Sequence, residues 1–341
     1  MTIIDATRIN IGGGKILLEN LLEKFNKKED DVYFLLDTRL EQAHNLYNQN
    51  NQKYLINKVD IFFFKIKCLF NKKNNLVYFS FINIPSILMA IFKVKQIVYI
   101  HNLYVFDAKT FKFIILRILI RVSIVLDKKI KFYVQTNTIK DKVLKTFKYN
   151  NVEVMPFYDF KAIELYKDKH KKNNILYDFI YIGLPSNHKN HIILVEALKL
   201  IPKDIFFTIA MTIPEYEVEL LNKIKDLNNN VKIINLGLLS YQSALENFSL
   251  SRCLIFPSLK ETFGLPLIEA QIIGLDILAS NLEYVYDVID PTDTFNPYEA
   301  NDIKRSILNY LKNKKRIKVI LKSTNKIEEI EKEILNRSNK I

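Results

Sequence analysis

Cysteine is nearly missing from this chain, with Cys68 and Cys253 the only two in 341 residues. That excludes a disulfide framework and any CxxC metal-ligand pair, and it fits a reducing compartment. Long apolar runs are missing too. The most hydrophobic stretch, Phe111 to Leu126, is broken by Lys112, Arg117 and Arg121. It falls short of the roughly 20 apolar residues that span a bilayer, so a transmembrane helix is rejected. The N-terminus shows no basic flank followed by an apolar stretch and cleavage site, and a cytoplasmic protein is expected. No repeat with a period of about 20–50 residues is visible, which excludes a solenoid.

What is present points to an ordinary folded protein. Hydrophobic residues make up 49% and charged residues 26% of the chain, far from the composition of disorder. At roughly 100–200 residues per domain, the length suggests two domains. A formal net charge of +13 admits nucleic acid, an anionic membrane or a phosphate-bearing substrate. The basic residues are spread from Lys15 to Lys340, with short clusters at Lys171-Lys172 and Lys314-Lys315-Arg316. Such clusters read as solvated surface. RNA-recognition and helix-turn-helix signatures are lacking, so no nucleic-acid partner is expected.

Apolar runs of strand length alternate with segments of helical period, the pattern of α/β domains with parallel sheets. In the first half, strands are expected at 3–8, 32–36, 76–79, 96–101 and 131–135, with helices at 15–24, 86–92, 110–126 and 139–147. After Met155-Pro156 a polar, charged stretch from Lys161 to Asn174 interrupts the pattern, and domains 1–155 and 156–341 are expected. The second series has strands at 177–182, 205–211, 231–234 and 253–256, and helices at 190–200, 214–227 and 240–248. The segment 303–335 reads as two charged helices, of the kind that pack back on the first domain.

Glycine is the scarcest informative residue, at seven positions against a typical usage of about 7%. Gly12-Gly13-Gly14 follows the first strand and opens a helix, where backbone amides and the helix N-terminus suit an anion; a tight turn without a ligand reads equally well. The dinucleotide fingerprint GxGxxG is not met, because position 17 is Leu17. The stronger segment runs from Pro257 to Gly274. There a strand end, Glu261, Phe263-Gly264-Leu265-Pro266 and Glu269 build a glycine turn into a proline-started helix. That is an anion pocket at the carboxyl edge of a sheet. Glu261 and Glu269 suit the gripping of sugar or ribose hydroxyls, or are a loop charge and a surface helix residue.

These residues resemble family 4 of the retaining glycosyltransferases, whose signature is Glu-x7-Glu enclosing Phe-Gly-Leu-Pro. Further similarity lies in Tyr181-Ile-Gly183 ahead of Lys189-Asn190-His191, in Asn235 to Ser240, in Ala279 to Asp287 and in Thr294 to Pro297. The first half is similar more loosely, through Gly12 to Gly14 and His101. The resemblance implies a GT-B fold of two facing Rossmann-like domains with a central cleft, and a nucleotide-diphosphate sugar as donor.

By resemblance, Lys189, Glu261 and His101 would form the catalytic set. Gly12, Gly13, Gly14, Gly183, Phe263, Gly264, Leu265 and Glu269 would bind the donor: Lys189 on the diphosphate, Glu261 on the sugar, Glu269 on the ribose. The sequence departs from the family at Leu184, where an arginine is usual; Lys260 or Lys15 could supply that cation. No Asp-x-Asp triplet occurs, so no metal and no cofactor are expected. The acceptor would be a saccharide or lipid-linked saccharide of a surface polysaccharide. The basic, apolar helix near 111–131 would then either touch an anionic membrane or be a buried domain helix. Alternatives of other classes are a nucleotide-sugar epimerase or phosphorylase of the same fold, and a non-catalytic basic binder.

Overall fold

Short runs of apolar residues bury both of their faces, as strands covered by helices on either side must. β1 (Thr2–Ala6) is buried at every position, and β4 (Val77–Ser80) likewise. The computed structural model describes residues 1–26, 32–40, 54–70, 76–107, 110–172, 174–225, 227, 230–313 and 316–335. Two units divide it: Met1–Tyr158 with Asn325–Ile341, and Asp159–Thr324.

The first unit is built on a parallel sheet of order β3-β2-β1-β4-β5-β6-β7. Its other strands are β2 (Val32–Leu36), β3 (Tyr54–Leu55), β5 (Lys95–Ile100), β6 (Lys131–Val134) and β7 (Val152–Val154). The second unit carries a parallel sheet of order β10-β9-β8-β11-β12-β14. These strands are β8 (Tyr177–Tyr181), β9 (Phe207–Met211), β10 (Val231–Asn235), β11 (Ser251–Phe256), β12 (Asp276–Ser280) and β14 (Asp293–Phe295). β13 (Ile289–Asp290) and β15 (Ile320–Leu321) form a small antiparallel pair. In both sheets the strand order reverses direction partway, at β1/β4 and at β8/β11. Such switch points open a crevice at the carboxyl ends of the strands.

Most strands and crossover helices fall where the hydrophobic pattern puts them; some elements do not. The charged stretch read as an interruption is a helix, Phe160–Lys172, of the second unit. Its inward face is narrow: Ile163 is fully buried, and His170 Nδ1 lies 2.9 Å from the Ser249 carbonyl oxygen. Lysines and acids elsewhere on it mask the period. Between the two charged helices of the last stretch, Ala300–Lys312 and Ile327–Ile334, the chain forms β15. Lys314 and Lys315 lie outside the described residues.

The final helix completes the first unit. Thr2 Oγ1 donates to the Ile334 carbonyl at 2.8 Å, Lys24 Nζ pairs with Glu331 at 3.0 Å, and Asn325 Nδ2 donates to the Tyr158 carbonyl at 2.7 Å. Ile330 and Ile334 are wholly buried. Deleting buried methyl and methylene groups from such a site costs about 2–5 kcal/mol. Ile330→Ala is therefore expected to raise amide hydrogen exchange in β1 and neighbouring strands while leaving β8 and β11 protected. Equal loss of protection in both sheets would refute this placement of the helix.

Candidate functional site

β8 and β11 are hydrogen-bonded neighbours, with Ser251 opposite Tyr177 and Leu254 opposite Ile180. The loops leaving their carboxyl ends therefore emerge side by side. The loop after β8 carries Gly183 and Lys189 into the helix His191–Lys199; the loop after β11 carries Glu261 to Gly264 into the helix Leu265–Ile273. Lys189 Nζ donates to Glu261 Oε1 at 2.6 Å. Both side chains are largely buried, at 18% and 13% exposure. The ammonium also lies 5.6 Å from the centroid of the Phe256 ring, close enough for a cation–π attraction.

Residues between these groups fix the two loops to each other. Tyr181 Oη donates to the Lys189 carbonyl at 2.6 Å, and the Leu259 amide donates to the His188 carbonyl at 2.7 Å. Asn190 sits in the left-handed region at φ 60°. From there its side-chain amide donates to the carbonyls of Pro257 at 3.1 Å and Pro297 at 2.6 Å. Asparagine tolerates that backbone conformation better than most residues. The role of Asn190 was not foreseen from the sequence, and its place between the cation and the next helix is the only signal there that could have marked it.

Gly264 caps the helix Leu265–Ile273 at φ 70°, with proline in the first turn and no side chain capping the N-terminus. The first-turn amides and the positive end of the helix dipole meet the loop that carries Glu261. Phe263 is buried and Leu265 half-buried, so of these two Phe263 offers its backbone alone. One turn on, Glu269 is 4% exposed and its Oε1 has no hydrogen-bond partner. Burial pushes its carboxyl up to about 7, against the opposing pull of a Tyr241 hydrogen bond and the Lys189 charge. Among the described residues no set of three His, Cys, Asp or Glu side chains is arranged to hold a metal ion.

The remaining predicted residues gather in the first unit. Gly12 to Gly14 open the helix Gly12–Asn26, directly after β1. A Cβ on Gly14 would lie 2.9 Å from His101 Cε1, so only glycine lets the helix start approach that ring. The His101 ring stacks on Phe81 at 4.7 Å, and its Nε2 lies 2.9 Å from the Phe81 carbonyl and 3.2 Å from the Asn83 side-chain amide. Burial lowers its pKa to about 4, so the ring is neutral at physiological pH. Lys15, also in this helix, pairs with Glu19 at 3.8 Å. The predicted residues thus form two sets: Gly12 to Gly14 with His101, and Gly183, Lys189 and Glu261 to Glu269.

The family match falls on the second unit. Residues 162–330 match the family Glycosyl transferases group 1. The serotype-specific mannosyltransferase WbdA of Escherichia coli is 30% identical over 156 residues, 43% of this chain and 19% of WbdA. The O-antigen chain mannosyltransferase RfbU of Salmonella typhimurium is 24% identical over 152 residues, 45% of this chain and 42% of RfbU. This chain therefore spans less than half the length of either relative. Among solved structures, Anabaena HepE in complex with UDP superposes with a TM-score of 0.65 at 13% identity, covering 91% of this chain and 89% of HepE. WaaG, a glycosyltransferase of lipopolysaccharide biosynthesis, gives 0.57 at 14% identity over 91% and 90%. These likenesses establish the fold as GT-B.

The raised carboxyl of Glu269 has a consequence for stability. Between its ordinary value of 4.5 and about 7, the folded chain keeps a proton that the unfolded chain releases. Its contribution is thus complete below pH 4.5 and lost as pH rises through 7. Relative to the parent protein, Glu269→Gln is expected to show a flatter decline of melting temperature across that window. Identical pH profiles for the two proteins would show that Glu269 is not held protonated.

Proposed function

We propose, from the match of residues 162–330 to the glycosyl transferases group 1, that this chain is a retaining glycosyltransferase of that group. It moves a sugar from a nucleotide-diphosphate donor to a saccharide or lipid-linked saccharide acceptor in the synthesis of a surface polysaccharide. The observation that carries this reading is the Lys189–Glu261 pair at 2.6 Å, set between two helix N-termini at a switch point and one helical turn from the buried Glu269. HepE binds UDP, and WbdA and RfbU are mannosyltransferases; both facts favour a nucleotide-sugar donor.

In this reading the donor enters against the second unit. Its diphosphate takes the Lys189 ammonium, which it shares with or draws from Glu261. Released from that partner, the Glu261 carboxylate accepts a hydrogen bond from a sugar hydroxyl. Glu269 accepts from the ribose and its proton passes to solvent on donor binding, because hydrogen bonds to the charged form favour that form. As the glycosidic bond breaks, positive charge grows on the sugar and negative charge on the leaving diphosphate. Lys189 and the amides of residues 263–265 meet the latter charge with fixed dipoles that need no reorganisation. Fixed positive charge thereby does the work that a metal ion does in transferases carrying Asp-x-Asp. His101, neutral and held by Phe81, contributes as a hydrogen-bonding group of the first unit, and no protein nucleophile is assigned.

Lys189→Ala and Glu261→Ala are each expected to lower the rate of transfer by about two to three orders of magnitude, the loss typical of one charge-stabilising group. Each leaves a partly buried charge without its partner, so a stability loss of about 1–3 kcal/mol is expected as well. Assays belong well below the melting temperature of the variants. Donor choice is read from a thermal-shift panel of uridine, guanosine and adenosine diphosphate sugars, since ligand at about 100 times its dissociation constant adds ~2.7 kcal/mol to stability. Full activity in either folded variant, or no shift with any donor, sinks the proposal.

A further inference from the structure

One outer face of the first unit exposes far more apolar surface than a solvated helical layer needs. The helix Phe111–Leu126 buries only Ile120 and Ser123 completely, while Ile118, Val122 and Val125 point into solvent, Val125 at 76% exposure. A shallow hollow is lined by these three with Arg121 and Leu126. The exposed surface continues beyond this helix. Lys93 donates to the carbonyl of Leu126, its neighbour Phe92 is exposed, and the Phe92 ring meets Phe70 of the helix Lys58–Phe70 edge-on at 6.4 Å. Phe70 is itself 74% exposed. The helices Lys58–Phe70 and Phe111–Leu126, with Phe92 and Lys93 between them, therefore present neighbouring exposed apolar side chains, more than the scattered single residues that soluble proteins normally expose.

Charge around this face has one dominant sign. The helix Phe111–Leu126 contains Lys112, Arg117 and Arg121 and no acid, and exposed Lys128 and Lys129 follow it. Arg117 turns inward to the Val105 carbonyl at 2.7 Å, and the exposed Arg121 donates to the Thr146 carbonyl at 3.0 Å, which leaves Lys112, Lys128 and Lys129 on the rim beside Arg121. We propose that this face docks on an anionic bilayer surface, with the helix Phe111–Leu126 lying in the interface plane. Apolar side chains enter the headgroup boundary and the lysines and Arg121 meet lipid phosphates, the arrangement of interfacial amphipathic helices. A second copy of the chain is the poorer occupant, because two faces of this kind would bring like charges together. Docking stands on the first unit alone; that it presents the chain to a lipid-linked acceptor rests on the transferase reading.

The test is sedimentation of the full chain with phosphatidylglycerol vesicles and with phosphatidylcholine vesicles, at low and high salt. Binding to phosphatidylglycerol is expected to exceed binding to phosphatidylcholine by about tenfold or more. It should weaken as the screening length falls from about 10 Å at 0.1 M salt. Each basic residue at such a surface is worth about fivefold in partitioning. Lys128→Glu with Lys129→Glu should therefore weaken binding at least about 20-fold, and Val122→Asp with Val125→Asp should abolish it. Melting temperature and nucleotide-sugar binding serve as controls for folding and for the second unit, so a failed transferase reading appears there and not in the vesicle data. Vesicle binding that neither double variant changes overturns the proposal. So does parent protein that stays in the supernatant, whether monomeric or as a dimer that the same substitutions dissociate.

Discussion

The adjacency of β8 and β11 is the constraint on which the candidate site depends. Two strands far apart in sequence, Tyr177–Tyr181 and Ser251–Phe256, become neighbours because β9 and β10 extend the sheet to one side and β12 and β14 to the other. Only at that reversal do two loops leave the same edge with no crossover helix between them. Lys189 and Glu261, 72 positions apart, thereby come within 2.6 Å. The pair in turn needs its loops held still. Tyr181, Asn190 and the Leu259 amide do this by closing hydrogen bonds onto backbone carbonyls of both loops. These are backbone-directed bonds, so the loop geometry is fixed without using the charged groups themselves.

Electrostatically, the second unit keeps its charges in an unequal arrangement. One carboxylate, Glu261, is neutralised by a lysine; the other, Glu269, is buried with an oxygen that lacks a partner, and burial makes it prefer its proton. A buried polar atom without a partner costs roughly 1–3 kcal/mol, and folded proteins keep few of them. Glu269 lies within the helix Leu265–Ile273, near the N-terminal end whose dipole favours negative charge, and burial outweighs that pull. The first unit differs: its predicted residue His101 is neutral through burial, stacked and hydrogen-bonded within its own unit.

Much of this was legible in the sequence, and for identifiable reasons. Parallel strands buried on both faces are continuous apolar runs, so β1, β2, β8 and β11 stand out. The turn at Gly264 is marked by the Phe-Gly-Leu-Pro string, because positive φ and a proline-started helix each demand a particular residue. The helix Phe160–Lys172 was not legible: one wholly buried residue, Ile163, against a lysine-rich surface leaves too little period to detect. The Asn190 bridge was hidden for another reason, since its acceptors, Pro257 and Pro297, are backbone carbonyls that leave no trace in side-chain pattern. For the helix Phe111–Leu126 the sequence left two readings open, membrane contact and a buried domain helix, because apolar helix positions read as core until neighbouring elements are seen not to cover them.

Glycine separates what the chain requires of itself from what it leaves open. Gly14 is needed by the protein alone, for the His101 ring is locked by Phe81 and a Cβ would intrude on it. Gly264 is also needed by the protein alone, because its φ of 70° belongs to the left-handed region. Gly183 meets neither condition. Its φ is not positive, and an added Cβ would find the Tyr181 hydroxyl at 3.5 Å and the Lys189 Cδ at 3.6 Å, both ordinary contact distances. The fold would accept alanine there. A position at the carboxyl end of β8, beside the Lys189 ammonium, thus carries a glycine that folding does not require.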